Sequence, residues 1–360
     1  MKITKILSFI AAFAVFTSSA QDDTKAPKYS NEFLSVGVGA RALGMSNSFV
    51  ASTNDVTSGY WNPAGLTNIK DDMQVSLMHA EYFAGIAKYD YGAFAKPIDS
   101  SSTIGFSMIR FGVDNILNTT ELIDNQGRID YNNISTFSAA DYAFIFSYAR
   151  KLKVPGLSVG ANAKVVYRKV GEFANSWGFG LDVGAQYKKD NLTLAAMGRD
   201  ITSTFNAWNY SLSQNVVDVF LANDNEIPEN GLEVTLPKFL LGGAYYFQLG
   251  DKFSLQPELD LDVTFDGKRN VLIKSDVLSV DPHMGAEFGF KNIVFLRAGF
   301  NNLQKVLNPD LRESYTLSPN FGVGIKIKRI TLDYALTNIS QSVGLYSNIF
   351  SLRFDLSKKI

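Results

Sequence analysis

Apolar and polar side chains alternate at every second residue through most of the chain beyond residue 72. In Trp177–Lys188, the side chains of Trp177, Phe179, Leu181, Val183, Ala185 and Tyr187 share one parity, and Gly178, Gly180, Asp182, Gly184, Gln186 and Lys188 share the other. Successive side chains of a strand point to opposite faces, so this segment predicts a strand with one apolar and one small or polar face. Residues 252–265 repeat the pattern: Phe253, Leu255, Leu259, Leu261, Val263 and Phe265 against Ser254, Gln256, Glu258, Asp260, Asp262 and Thr264. Pro257 falls on the apolar register and cannot donate to a ladder, which predicts a bulge or kink there. The same alternation closes the chain at Phe350, Leu352, Phe354 and Leu356. With flanking turn residues it predicts strands at 73–79, 87–96, 103–111, 141–149, 157–168, 176–188, 191–199, 238–248, 252–265, 281–290, 293–300, 319–328, 330–337 and 348–356.

These strands number about fourteen, and single-chain outer-membrane barrels have an even count. Connections at 96–102, 150–156, 189–190, 249–251, 291–292 and 329 are short, and those at 79–86, 112–140, 169–175, 200–237, 266–280, 301–318 and 338–347 are longer. Short turns at one end and long loops at the other are the habit of an outer-membrane barrel. A soluble sandwich has no reason to sort its loops this way. The expected fold is therefore all-β, a transmembrane antiparallel β-barrel whose apolar face meets lipid and whose polar face lines a lumen. Both termini then lie on the periplasmic, short-turn side. Lumen charges on this reading include Lys164, Asp182, Glu258, Asp260, Asp262, Arg297 and Arg353. Both signs are present, so cross-strand ion pairs are expected inside.

The first twenty residues read as a signal peptide: basic Lys2 and Lys5, an apolar run over 6–16, and a small-residue exit at Ser18, Ser19 and Ala20. That divides the chain into a leader at 1–20, an N-terminal periplasmic or plug segment at 21–72, and a barrel at 73–360. The 360 residues include no Cys, which excludes disulfides, a thiolate nucleophile and Cys-ligated metals. A net charge of −1 and a pI near 6.2 leave no nucleic-acid footprint. Gly 28, Tyr 16 and Phe 27 suit a barrel whose inner wall is approached closely and whose outer face meets lipid.

No enzymatic or cofactor site is read. Ser76 and His79 lie three apart on a strand and so face opposite ways. Glu258, Asp260 and Asp262 share a face, but along one strand they converge poorly on a cation. A basic cluster, Arg150, Lys151, Lys153, Lys188, Lys189, Lys326, Lys328 and Arg329, gathers at the short-turn end. It reads either as solvated turn charge or as a contact for anions. The long connections at 112–140 and 200–237 are too apolar for disorder. In the second, Phe205, Trp208, Tyr210 and Phe220 read as a lid or as anchors for a partner protein.

Residues 33–69 lack the alternation and are rich in Gly, Ala and Ser, as expected of a hatch inside the barrel, with a helical start expected at Asp55. Here ARALGMSNSFVAS (40–52) and DVTSGYWNPAGL (55–66) resemble the N-terminal signature of the PorV/PorQ family of Bacteroidota. More distantly, Asn62, Pro63 and Ala64 are similar to the corresponding element of FadL-type transporters of hydrophobic compounds. The resemblance implies a fourteen-stranded barrel with an N-terminal plug. It also implies a component of type IX secretion that binds cargo proteins or the translocon. The alternatives are a channel for a hydrophobic ligand and a structural barrel in a larger assembly, in each case among outer-membrane lipids.

Overall fold

The computed structural model describes residues 30–122, 127–265, 267, 269, 271–307, 313–338 and 346–357. The leader read over 1–20 lies outside them. Fourteen strands form the wall among the described residues: β1 Met73–Tyr82, β2 Ala87–Pro97, β3 Ser102–Asn118, β4 Ser135–Lys151, β5 Leu157–Val170, β6 Ala174–Lys189, β7 Leu192–Arg199, β8 Lys238–Tyr245, β9 Phe253–Thr264, β10 Ser279–Phe290, β11 Val294–Leu307, β12 Glu313–Ile327, β13 Ile330–Thr337 and β14 Ser347–Leu356. Each pairs antiparallel with its neighbours, and β1 closes on β14 from Met73↔Leu356 to Glu81↔Asn348. The barrel therefore has no free edge along this seam.

The alternation read from sequence sets the register. Along β6 Leu181 is 45% exposed and Asp182 only 2%. Trp177, Phe179 and Val183 share the outward face with Leu181, and Gln186 shares the inward one with Asp182. Nothing in water compensates an apolar belt of this kind, so the outer face is built for hydrocarbon. Leu181→Arg is expected to destabilise the barrel by roughly 2–4 kcal/mol, as for a cation near a bilayer midplane. Urea titration in lipid vesicles reads this, and an unchanged midpoint would place Leu181 away from lipid.

The long-loop end differs from expectation. β3 runs on to Asn118 and β4 starts at Ser135, so much of the loop read at 112–140 is paired strand. A register shift between Val113 and Ile116, with Asn115 at φ 58°, breaks the alternation there. Likewise β11 and β12 extend into the region read as a loop at 301–318, with a shift between Asn301 and Gln304. The connection at 169–175 shrinks to a turn between β5 and β6. The segment at 200–237 is also structured. Phe205–Tyr210 and Gly231–Val234 form a ribbon joined by helix α1, Gln214–Ala222. The ribbon pairs with Ala174–Phe179, above the part of β6 that β7 covers, and so extends the wall.

Pro257 makes no bulge. The β9–β10 register is unbroken from Phe253↔Phe290 to Thr264↔Ser279. On the other side the ladder to β8 stops at Ala244↔Glu258 and resumes in the same register at Phe247↔Leu255. The missing donor thus interrupts pairing on one side only.

Residues 30–69 are almost wholly buried and packed against the inward faces of the wall. Phe33, Leu43, Met45, Phe49, Tyr60, Trp61 and Leu66 belong to the buried cluster that fills the lumen beside β1 to β5. The segment contains only single helical turns, at Ala40–Leu43 and Ser58–Trp61, and 3₁₀ turns at Glu32–Ser35 and Pro63–Asn68. The turn begins at Ser58 and not at Asp55, whose carboxylate instead accepts from the Thr57 N–H at 2.9 Å and the Thr57 hydroxyl at 2.6 Å.

Candidate functional site

A lumen filled with backbone that is neither helix nor sheet must supply partners for its N–H and C=O groups. The wall supplies them with inward side chains. Asn62 stands before the Pro63–Asn68 turn and accepts from the Ala64 N–H at 3.2 Å, with Pro63 in the first position, where no donor is needed. Its Nδ2 donates to the Ala185 carbonyl of β6 at 3.1 Å. Ala64 is fully buried against β5, where a Cβ on Gly160 would stand 2.6 Å from Ala64 N. Glycine is what lets the inner segment lie directly on the wall here. The Asn62-Pro63-Ala64 element is thus a tight turn pinned between β5 and β6.

Further contacts surround the segment. Asn162 donates to the Gly59 carbonyl at 2.9 Å, and Gln186 to those of Ala51 and Thr53 at 2.8 and 3.0 Å. The Ala40 N–H donates to Ser351 Oγ at 2.7 Å, and Asn320 Nδ2 to Ser46 Oγ at 2.7 Å. Arg199 donates to the Tyr60 carbonyl at 3.0 Å.

The inward charges form three clusters, the second and third linked through Arg41. Lys164 bridges Asp182 at 2.8 Å and Asp200. Arg297 bonds Glu287 at 2.6 Å and Asp333 at 2.7 Å, and Glu287 takes a second, two-pronged contact from Arg41 of the inner segment at 2.8 and 2.9 Å. Arg353 meets Asp55 at 2.5 Å, with Arg41 3.7 Å from the same carboxylate. Burial pushes the Asp55 carboxyl up, but Arg353 and Arg41 outweigh it and hold the group below its ordinary value. Ion pairing across the lumen, expected from the mixed signs, is what these groups do.

Glu258 and Asp260 behave differently. Asp260 Oδ2 accepts from the N–H groups of Phe49 at 2.7 Å and Val50 at 2.9 Å. Glu258 accepts from those of Ala51 at 2.6 Å and Ser52 at 3.1 Å. Two adjacent carboxylates of one strand hold four consecutive backbone donors, and among the described residues neither has a cation at ion-pair distance. Asp262, the third of the row, lies 3.9 Å from Lys238 and 4.0 Å from His283. Among the described residues no group of three His, Cys, Asp or Glu is placed to hold a metal. Ser76 is buried inward and His79 half-exposed outward against Asp90 at 2.7 Å, so the two do not meet. This clasp of Glu258 and Asp260 on the backbone of residues 49–52 was invisible in the sequence, because its donors are backbone groups.

The aromatic residues of 200–237 sit in the ribbon and α1. Phe205 is exposed on the outward face beside Phe179. Trp208 and Tyr210 share the inward register with the buried Asn206 and stack on one another. Trp208 lies under Arg168 and donates to Glu233 at 2.9 Å. Phe220 is half-buried on α1.

Two cavities flank the inner segment. Toward the long-loop end, a chamber of about 220 Å³ is bounded by Val36, Leu43, Trp61, Leu240, His283 and Asn301. Toward the short turns, a vestibule of about 600 Å³ is bounded by Arg41, Lys70, Lys188, Arg297, Lys326 and Arg353. The inner segment stands between them.

A closed wall with an apolar outside, a charged inside and a chain segment across the lumen defines a transmembrane β-barrel. By its match over residues 7–196, the chain belongs to the uncharacterised protein family UPF0164. No curated protein matches it in sequence. Among solved structures it is similar to the CymD monoaromatic hydrocarbon channel, with 14% identity, a TM-score of 0.55, and coverage of 90% of this chain and 98% of that one. The toluene transporter TbuX of Ralstonia pickettii gives 13%, 0.51, 89% and 98%. The toluene transporter TodX of P. putida gives 13%, 0.51, 90% and 99%. At such identities the likeness is one of fold.

Proposed function

We propose that the protein is a small-molecule channel of the outer membrane, closed in this conformation by its inner segment. The observation that carries the reading is the pair of cavities on opposite sides of residues 30–69 within one barrel. A solute that crosses must pass the segment, and its single turns and long irregular stretches suit a part that shifts. The substances named for the structural relatives support a hydrophobic solute, whereas the outer chamber is mixed, with Val36, Leu43, Trp61 and Leu240 set among polar groups such as Lys238, Asp262, His283 and Asn301. The short-turn end is taken as periplasmic. A Cys at Ser213 is then labelled on intact cells and one at Asp190 is not. Cells lacking the protein are expected to lose uptake of toluene supplied at low concentration while anchoring their full set of surface proteins. Unchanged uptake would end the channel reading.

A second reading, a PorV-like component of type IX secretion, is favoured by a different observation. Leu117, Ile129, Tyr131, Leu221 and Leu232 are exposed at the long-loop end. Apolar side chains left there suit a protein partner. In the same deletion, loss of surface proteins with normal toluene uptake would select this reading.

A further inference from the structure

We propose that the short-turn vestibule is a binding site for a small phosphate-bearing anion. Six cationic side chains line it, Arg41, Lys70, Lys188, Arg297, Lys326 and Arg353, against two carboxylates, Glu287 and Asp333. Four of the six are already engaged. Arg41 and Arg297 share Glu287, Arg353 holds Asp55, and Lys326 lies 3.1 Å from Asp355. Lys70 and Lys188 are different: among the described residues neither has a carboxylate within ion-pair distance. Lys188 projects inward from the end of β6, and its neighbour across the ladder is Thr193, which offers no charge. Lys70 follows the inner segment, and both lysines also border the adjoining recess with Asn54, Asn68, Gln186 and Gln256.

The chemistry left over selects the ligand. The guanidinium forks that suit a planar carboxylate are occupied, and what remains is two ammonium point charges surrounded by side-chain amides and hydroxyls. A phosphate carries about −1.5 to −2 charge near neutrality and several acceptor oxygens, which matches two ammoniums approached from different sides. The surrounding short-turn rim, with Arg150, Lys151, Lys189, Lys328 and Arg329, raises the local anion concentration without forming the site. Binding requires only the vestibule, so it stands apart from whether the barrel conducts.

Inorganic phosphate titrated calorimetrically into the full chain in neutral detergent, at fixed ionic strength, is expected to bind saturably. Lys188→Gln and Lys70→Gln are both exposed changes at which folding is not at stake, and each is expected to weaken binding at least tenfold. Lys189→Gln removes the same charge one residue away on the outward register and is expected to leave affinity unchanged. Absence of saturable binding would overturn the proposal. So would equal weakening by Lys189→Gln, which would mean rim screening, or acetate binding as tightly as phosphate, which would remove the phosphate class. None of these outcomes bears on toluene uptake.

Discussion

Arg297→Met is expected to cost the barrel about 3–5 kcal/mol, the usual penalty for removing one partner of a buried ion group and leaving the other charged. Arg297 is buried on β11 and reaches two carboxylates on different strands. Glu287 is its direct neighbour across the β10–β11 ladder. Asp333 lies two strands away, beyond β12, and the side chain gets there because β12 offers glycine at the crossing. A Cβ at Gly324 would stand 2.2 Å from Asp333 Oδ1 and 2.7 Å from Arg297 Nη1. The two carboxylates fare differently in the variant. Glu287 keeps Arg41, whereas among the described residues Asp333 has no other cation at ion-pair distance. Most of the loss should therefore return on adding Asp333→Asn, which neutralises the stranded charge. Urea unfolding of the single and double variants in lipid vesicles gives both numbers. Arg297→Met unfolding with the wild type, or no recovery in the double variant, would show that the charge pair is not what holds these three strands.

How much of this was legible in the sequence follows from where each signal originates. The strands and their register come from the alternation itself, and Leu181 out with Asp182 in follows directly from lipid on one side and a polar lumen on the other. The signal fades where strands continue beyond the apolar belt. Around Asp114 and Asn115 both faces meet water or loops, so polar residues occur on either parity and paired backbone looks like loop. The ribbon at Phe205–Tyr210 was missed for a related reason: it replaces β7 as partner of β6 halfway up the wall, and nothing local announces a change of neighbour. Charge placement was legible and charge partnership was not. Lys164 and Asp182 sit two strand positions apart in pairing terms, but Asp200 joins them only through a turn. The turn at Asn62-Pro63-Ala64 was visible as a motif, whereas its seat on Gly160 needed the fold.

The clasp is the least legible element and has the largest expected consequence. Asp260→Asn combined with Glu258→Gln preserves size while replacing both carboxyl groups with weaker amide acceptors. Hydrogen bonds to a charged group are worth roughly 1.5–3 kcal/mol each, against about 1 for neutral ones. Four donors, Phe49, Val50, Ala51 and Ser52, depend on these two carboxylates. A loss near 1.4 kcal/mol already shifts a two-state equilibrium tenfold, so partial weakening of four bonds is expected to raise the open fraction by well over an order of magnitude. Asn62 and Asn162 still bind the segment elsewhere, and Gln186 still holds the Ala51 and Thr53 carbonyls, so release is local to the N–H side of the stretch facing β9. The wall itself should stay intact, because neither side chain takes part in the β9 ladders. In planar bilayers the wild type is expected to be nearly silent and the double variant to show frequent openings. Heat-modifiable migration on gels should confirm that both are folded barrels. A folded double variant as silent as the wild type would mean that these carboxylates do not hold the lumen closed, and that the seal resides in the turn pinned to β5 and β6.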